Sequence, residues 1–295
     1  MNVPPPNARP TAARNDLIMD VGMNRGEDTR FYLAKGFRVV AYEANEQLCA
    51  EAARTLRSFV DSGRLVIRPV AIHHETGPVT FYYNDAVDAW GTTDAAWVRR
   101  NEAGAGKHRT GTVPGVRFED ELQRFGVPYY LKIDIEGADM LCVRALERES
   151  TRPSYLSIES SKTSYDDLFD ELATLWSLGY RQFKAIPQAI VERIRLPFPA
   201  REGQHVAHRF TFGSSGPFGE ETEGDWLSVE QVLDRYRAIF RSYRRFGDAG
   251  WFTSGPFRRV RTKAASILGL LPGWYDTHAK FGSAASGTGP DHPRA

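Results

Sequence analysis

From Leu17 onward, apolar positions fall into short continuous runs that alternate with longer stretches of helical spacing. Leu17–Val21 is a short apolar run ending in a glycine loop, the pattern of a buried strand. Glu27–Lys35 suits a helix, and Gly36 is placed to stop it. Arg38–Tyr42 predicts a second strand, Glu46–Phe59 a helix and Arg64–Val70 a third strand. Thr76-Gly77-Pro78 reads as a turn before a short strand at Val79–Tyr83. After a long irregular stretch, Asn84–Gly115, the alternation resumes. It gives strand Tyr129–Ile133, helix Ala138–Glu147, strand Ser154–Ile158, helix Tyr165–Leu178 and strand Tyr180–Ala185, with a last strand expected at Val206–Phe212. Strands alternating with helices imply an α/β, doubly wound, mostly parallel sheet covered on both faces.

Composition sets the limits around this frame. Residues 1–16 are Pro-rich and read as a flexible arm, and 282–295 as a disordered tail. The main α/β domain is expected over 17–213, with 84–115 as a substrate loop. A Gly/Ser/Pro-rich break at Gly213–Gly224 opens a C-terminal helical extension, 214–281, whose best helix is Val229–Tyr243. The 295 residues carry 38 Lys+Arg against 37 Asp+Glu, so there is no global field to draw in nucleic acid, and none is expected as a partner. The charges are nevertheless segregated: Glu220–Asp234 holds six acids and no base, and Arg235–Lys263 nine bases against one Asp. Cys49 and Cys142 are too few for a disulfide framework and suit a reducing cytoplasm. No apolar run approaches the ~18 residues of a membrane span, and Met1–Asp16 lacks the apolar stretch of a signal peptide.

The most informative segment is Asp20-Val21-Gly22-Met23-Asn24-Arg25-Gly26, a strand-to-helix turn. Glycines let backbone approach a ligand, and the following helix start offers unpaired N–H groups. Glu43 closes the second strand about 20 residues after Gly22, where a carboxylate can accept from both hydroxyls of an adenosine ribose. A phosphate loop needs Gly-Lys-[Ser/Thr], but Gly26 is followed by Glu27-Asp28. A dinucleotide loop needs a middle glycine where Asn24 stands. S-adenosylmethionine (SAM) carries no phosphate and a positive sulfonium, so Asp20, Glu27 and Asp28 favour it. The alternative is an ordinary turn whose acid caps something local.

A second acidic motif follows the fourth long strand, at Lys132-Ile133-Asp134-Ile135-Glu136-Gly137. Period-two alternation puts Lys132, Asp134 and Glu136 on one side, at the ligand edge of the sheet. Taken with Asp20-Val21-Gly22-x-Asn24-x-Gly26 and Ala41-Tyr42-Glu43-Ala44-Asn45, this block resembles the FkbM-type family of SAM-dependent methyltransferases, across about Leu17–Pro187. The resemblance implies the Rossmann-like class I methyltransferase fold, a seven-stranded sheet whose last strand is antiparallel, and O-methylation. Carried over by position, Asp20, Gly22, Asn24 and Gly26 meet the methionine portion, Glu43 the ribose, and Asp134 lies beside the transferring methyl. Adenine falls to backbone groups around Ala71, in Pro69–His74.

An alcohol acceptor must lose a proton, which calls for a base or a metal. Asp134 and Glu136 are acidic candidates. Glu159 ends the neighbouring strand, so Asp134 and Glu159 are expected to converge, and two hard oxygen ligands plus water suit Mg²⁺. The competing reading is a pair of acids organised by Lys132. His205 and His208, at the start of an antiparallel final strand, are the imidazole candidates, with His73, His74 and His108 behind them. The 84–115 loop offers Trp90, Trp97, Arg99 and His108, whose rings and donors suit a sugar or other polyhydroxylated acceptor. The expectation is O-methylation of a small-molecule or oligosaccharide acceptor: a sugar, a polysaccharide, or a glycosylated or polyketide-type metabolite. A homodimer is left open. Two other readings stay open as well: an NAD(P)-dependent oxidoreductase on the same frame, and a non-enzymatic binding module using the charged C-terminal helices.

Overall fold

The computed structural model describes residues 14–84, 91–95, 97–99, 108–161, 164–246 and 274–282. Trp90, Arg100, most of the N-terminal arm, the tail beyond 282 and the basic stretch after 246 lie outside them. The strands are β1 (Arg14–Val21), β2 (Arg38–Tyr42), β3 (Leu65–Arg68), β4 (Ala71–Ile72), β5 (Gly77–Asn84), β6 (His108–Val116), β7 (Pro128–Ile133), β8 (Tyr155–Glu159), β9 (Tyr180–Pro187) and β10 (Tyr275–Phe281). Between them run α1 (Glu27–Ala34), α2 (Glu46–Thr55), α3 (Arg57–Asp61), α4 (Phe118–Phe125), α5 (Asp139–Ala145), α6 (Tyr165–Ser177) and α7 (Val229–Phe246). Seven strands form one sheet in the order β3-β2-β1-β7-β8-β10-β9, and β4-β6-β5 form a smaller one. Within the large sheet, β10 runs antiparallel to both β8 and β9. Among the described residues no helix is long and apolar enough to cross a membrane.

The apolar runs are continuous because both faces are covered. On one face Met19, Val21, Leu131, Ile133, Leu156 and Ile158 pack against residues of α4 to α7. On the other, Ile18, Val39, Ala41 and Tyr130 meet Phe31 and Tyr32 of α1, Ala52 of α2, and Phe210 and Phe218 of the long connection after β9.

The structure differs from the expected elements in three places. Val206–Phe212 is not a strand. Its alternation is answered by α1, with the His208 ring 4.9 Å from Phe31 and Phe210 also 4.9 Å from Phe31. The antiparallel strand is instead β10, hidden from a hydrophobicity reading because Asp276, Thr277 and His278 are buried polar residues. Second, the end of the 84–115 stretch is β6, paired with β5 from Gly77↔Gly115 to Asn84↔His108. Its glycines disguise it but are required, since a Cβ on Gly111 would lie 2.8 Å from Tyr83 Cε2, and one on Gly115 2.6 Å from Val79 Cγ1. Third, α4 is an additional helix; it is anchored by Arg68, which donates to both Glu121 carboxylate oxygens.

Inserted between β8 and β9, β10 supplies hydrogen-bond partners to both. A chain ending at residue 273 therefore leaves two strand edges facing a gap. It is expected to lose its cooperative thermal transition in calorimetry; a transition of wild-type sharpness would show that β10 is dispensable.

Candidate active site

The glycine loop is held by backbone. Gly22 N–H and Met23 N–H both donate to the Tyr42 carbonyl, at 3.0 and 2.9 Å. Gly22 has a positive φ of 87°, and a Cβ there would stand 1.8 Å from the Asp134 carbonyl oxygen. Glycine is thus demanded twice, by conformation and by the contact between the β1 and β7 loops. Asn24 also sits in the left-handed region, which Asn tolerates better than most residues. Its N–H donates to Glu43 Oε2 at 2.9 Å, while Asn45 N–H donates to Glu43 Oε1 at 2.8 Å. Glu43 therefore clasps the loop. Each of its oxygens keeps acceptor capacity beyond the one bond it receives.

Beneath the loop lies Lys132. Its Nζ donates to the Gly22 carbonyl at 2.8 Å and lies 3.3 Å from Asp20 Oδ1 and 3.7 Å from Asp134 Oδ2. Asp20, fully buried, also accepts from Thr29 Oγ1 of α1 at 2.6 Å. Burial works against the ammonium, but Asp20, Asp134 and Asp28 hold its pKa above the ordinary lysine range. Glu136 follows with a positive φ of 50°, and its carbonyl accepts from Thr92 Oγ1 at 2.7 Å. Asp139 takes the Ile135 and Gly137 N–H groups, both at 3.3 Å, which folds the turn back on itself. Carboxylate oxygens of Asp134, Glu136 and Glu159 lie within 4.8 Å of one another. The expected convergence of Asp134 and Glu159 is present, with Glu136 joining it. Sequence reasoning missed Asp276, which pairs with Glu159 in the β8–β10 register.

Other expected residues fall elsewhere. Asp28 does not face the loop; it is buried and accepts Ser215 N–H at 3.1 and 3.0 Å. His208 packs between Phe31 and Phe210, and His205 lies 5.0 Å from the Phe198 ring, so neither begins a strand at the carboxyl edge. Ala71 is buried in β4, in one apolar cluster with Ala44, the residue after Glu43. Trp97 is 8% exposed, and a Cβ on Gly137 would lie 3.1 Å from its ring, so it anchors residues 97–99 against the acidic turn. Arg99 is exposed. His108 opens β6, opposite Asn84.

Comparison with known proteins gives one family. The model of the methyltransferase FkbM domain matches residues 20–182. Among solved structures, the chain is similar to a precorrin-6y C5,15-methyltransferase from Geobacter metallireducens at 12% identity, covering 60% of this chain and 73% of that one, with a TM-score of 0.33. It is also similar to a putative rRNA methylase from Clostridium thermocellum at 12% identity, covering 59% and 78%, with a TM-score of 0.32. No curated protein matches.

The crowding of acids has a consequence for stability. Burial pushes the carboxyls of Glu43 and Asp28 up to about 7 and Glu171 up to about 8, while burial pushes His278 down to about 3. A raised carboxyl contributes stability below its unfolded value of 4.5 or less, and that contribution is lost as pH rises through the folded pKa. His278 acts in the opposite sense but only below its unfolded pKa of 6.5. The ligand-free protein is therefore expected to lose melting temperature from pH 6.5 to 8. Glu171→Gln should flatten that slope; a melting temperature that rises across the window would contradict this electrostatic picture.

Proposed function

The chain belongs to the methyltransferase FkbM domain family, and from that premise we propose that it is a SAM-dependent O-methyltransferase acting on a hydroxyl of a sugar, a polysaccharide, or a glycosylated or polyketide-type metabolite. The observation that carries this reading is the meeting of a glycine loop, clasped by Glu43, with the acidic turn that starts at Asp134. An oxidoreductase and a scaffold are set aside by the family.

The residues fit the cofactor. Glu43 is at the end of β2 with acceptor capacity for a ribose diol, Gly22 and Gly26 open the backbone, and Glu27 stands where a phosphate loop carries its lysine, while Arg25 of the loop is paired with Glu51 at 2.8 Å. In this reading Gly22, Asn24 and Gly26 hold the amino-acid portion with Asp20 beneath them, and the backbone around Ala71 borders the base. When bound, SAM supplies an electrophilic methyl on a positive sulfonium. The protein's part is alignment and proton removal. Asp134, with 41% of its side chain exposed, receives the acceptor's proton, while Lys132 at 3.7 Å fixes its direction. Glu136 faces the same crevice. Thr92 and Trp97 hold residues 91–95 and 97–99 against it, so that Arg99 borders the acceptor's approach, while His108 opens β6 and Trp90 lies outside the described residues. Carboxylates suit a polyhydroxylated acceptor because they accept O–H bonds.

Calorimetric titration with SAM should give one site per chain, and Glu43→Gln should weaken it at least tenfold, about 1.4 kcal/mol. Radiolabelled methyl transfer should reach hydroxylated sugars and glycosylated polyketides, with Asp134→Asn lowering turnover by about 10²–10⁴. Absence of SAM binding overturns the proposal, and transfer to amines with hydroxyls untouched overturns its O-specificity.

A further inference from the structure

A cavity of about 330 Å³ lies beside β5, apart from the crevice at Asp134. Its volume is in the range that holds small ligands. His73, Thr76, Pro78, Thr80, Tyr82 and Thr93 are among the residues that line it. The backbone supplies part of that lining. Tyr82 N–H donates to the Thr92 carbonyl at 2.9 Å, and the Tyr82 carbonyl accepts Thr92 N–H at 3.1 Å, so both groups point away from β6. The β5–β6 register is continuous from Gly77 to Asn84, so by period two the Thr80 N–H and carbonyl point the same way. Among the described residues nothing pairs with them. A further strand cannot extend along this edge, because Pro78 has no N–H to give and Thr92 already occupies Tyr82. What is left is one free donor and acceptor facing a closed space.

The side chains narrow the ligand. The hydroxyls of Thr80 and Thr93 and the half-buried Tyr82 ring have no hydrogen bond or ring partner among the described residues. His73 accepts the Glu75 N–H on Nδ1 at 3.3 Å, which leaves Nε2 as the donor of its neutral ring. No lysine or arginine lines the cavity, and the side chain of Glu75, its one carboxylate, is 80% exposed. A phosphate or other anion therefore finds no counter-charge there. Donors and acceptors beside an aromatic face match a sugar ring, which offers hydroxyls around its rim and C–H groups on its faces. The place is also suitable: Thr92, 1% exposed, donates its hydroxyl to the Glu136 carbonyl at 2.7 Å, so one short segment borders both the cavity and the acidic turn.

We propose that this cavity binds a neutral sugar unit through the Thr80 backbone pair, the Thr93 hydroxyl and the Tyr82 ring. Its role rests on the methyl-transfer reading above: the bound unit is a part of the acceptor that is not methylated. Binding energy gathered there holds the reacting hydroxyl at the acidic turn.

The test is ligand-observed NMR titration of the full-length protein, without SAM, with methyl α-D-glucoside, methyl α-L-rhamnoside, maltose and cellobiose. Wild type should bind at least one of them. Tyr82→Ala and Thr80→Pro should each weaken that binding about tenfold or more, whereas Tyr82→Phe should retain it. Thr80→Pro removes only an outward N–H on an edge that already carries Pro78, so its melting temperature should stay near wild type. The site is overturned if none of the four sugars binds, or if Tyr82→Ala binds as tightly as wild type; loss in Asp134→Asn instead would place the sugar in the crevice. SAM titration on the same preparation separates the two readings. SAM binding without sugar binding overturns only the cavity site, whereas Tyr82-dependent sugar binding without SAM binding supports the site and overturns the methyl-transfer reading.

Discussion

One buried ammonium organises the centre of this fold. Lys132 sits near the end of β7, and its three contacts belong to three different parts of the chain: the Gly22 carbonyl of the loop, Asp20 of β1 and Asp134 beyond β7. A charge removed from water is tolerable only when its partners are fixed, and breaking such an arrangement commonly costs about 3–5 kcal/mol. The contact is therefore a constraint as much as an attraction. It sets where the β1 loop must pass, and Gly22, which has no room for a Cβ beside the Asp134 carbonyl, shows how closely that path is drawn. Thr29 ties α1 to the same Asp20, so the helix start is positioned by the same group.

The location follows from topology. From β1 the chain winds outward through β2 to β3, whereas β7 to β10 lie on the other side, so the loops leaving β1 and β7 diverge and open a crevice at the carboxyl ends of the strands. Asp20 and Lys132 are register partners at that point. On the far side, β10 is held by a cycle of hydroxyls: Ser160, Tyr236 and Thr277 lie within 2.6–2.7 Å of one another in the buried space between β8, β10 and α7. That cycle fixes the residue next to Thr277, which is Asp276. The C-terminal part of the chain thereby contributes to the same edge as the glycine loop, although more than 200 residues separate them in sequence.

What could be read beforehand divides along physical lines. The parallel strands β1, β2, β7 and β8 are legible because burial on both faces leaves unbroken apolar runs. The glycine loop, Glu43 and the Asp134 turn are legible because their residue types answer to local geometry. The identity of the antiparallel strand is not. Val206–Phe212 alternates as a half-buried strand should, yet its aromatic positions serve α1. Tyr275–Phe281 looks polar because Asp276, Thr277 and His278 face groups that only the assembled sheet brings near. In β6, glycine reads as loop until the aromatic and branched side chains of β5 are placed across it. Acids at the first turn of α1 mislead in the same way: Asp28 binds Ser215, some 190 residues away, and no local pattern records such a partner.

The histidines carry that lesson into the chemistry. His205 and His208 are attractive bases only if a final strand beginning at Val206 starts at the carboxyl edge. In the folded chain they belong to the connection that closes the α1 face, a segment pinned by the buried Lys35–Glu221 ion pair at 2.7 Å and by Ser215 on Asp28. Burial and the nearby Arg30 lower the pKa of His208, so its ring is an apolar packing partner for Phe31 and Phe210. His278, in β10, is buried beside Lys184 and is held neutral far below pH 7. With His208 and His278 packed in place and His205 exposed on the connection after β9, the methyl-transfer reading assigns proton removal to the carboxylates of the crevice. A carboxylate is a weak base for an alcohol in water, so in that reading the placement of Asp134 beside Lys132, at 3.7 Å, serves to hold the accepting oxygen in position.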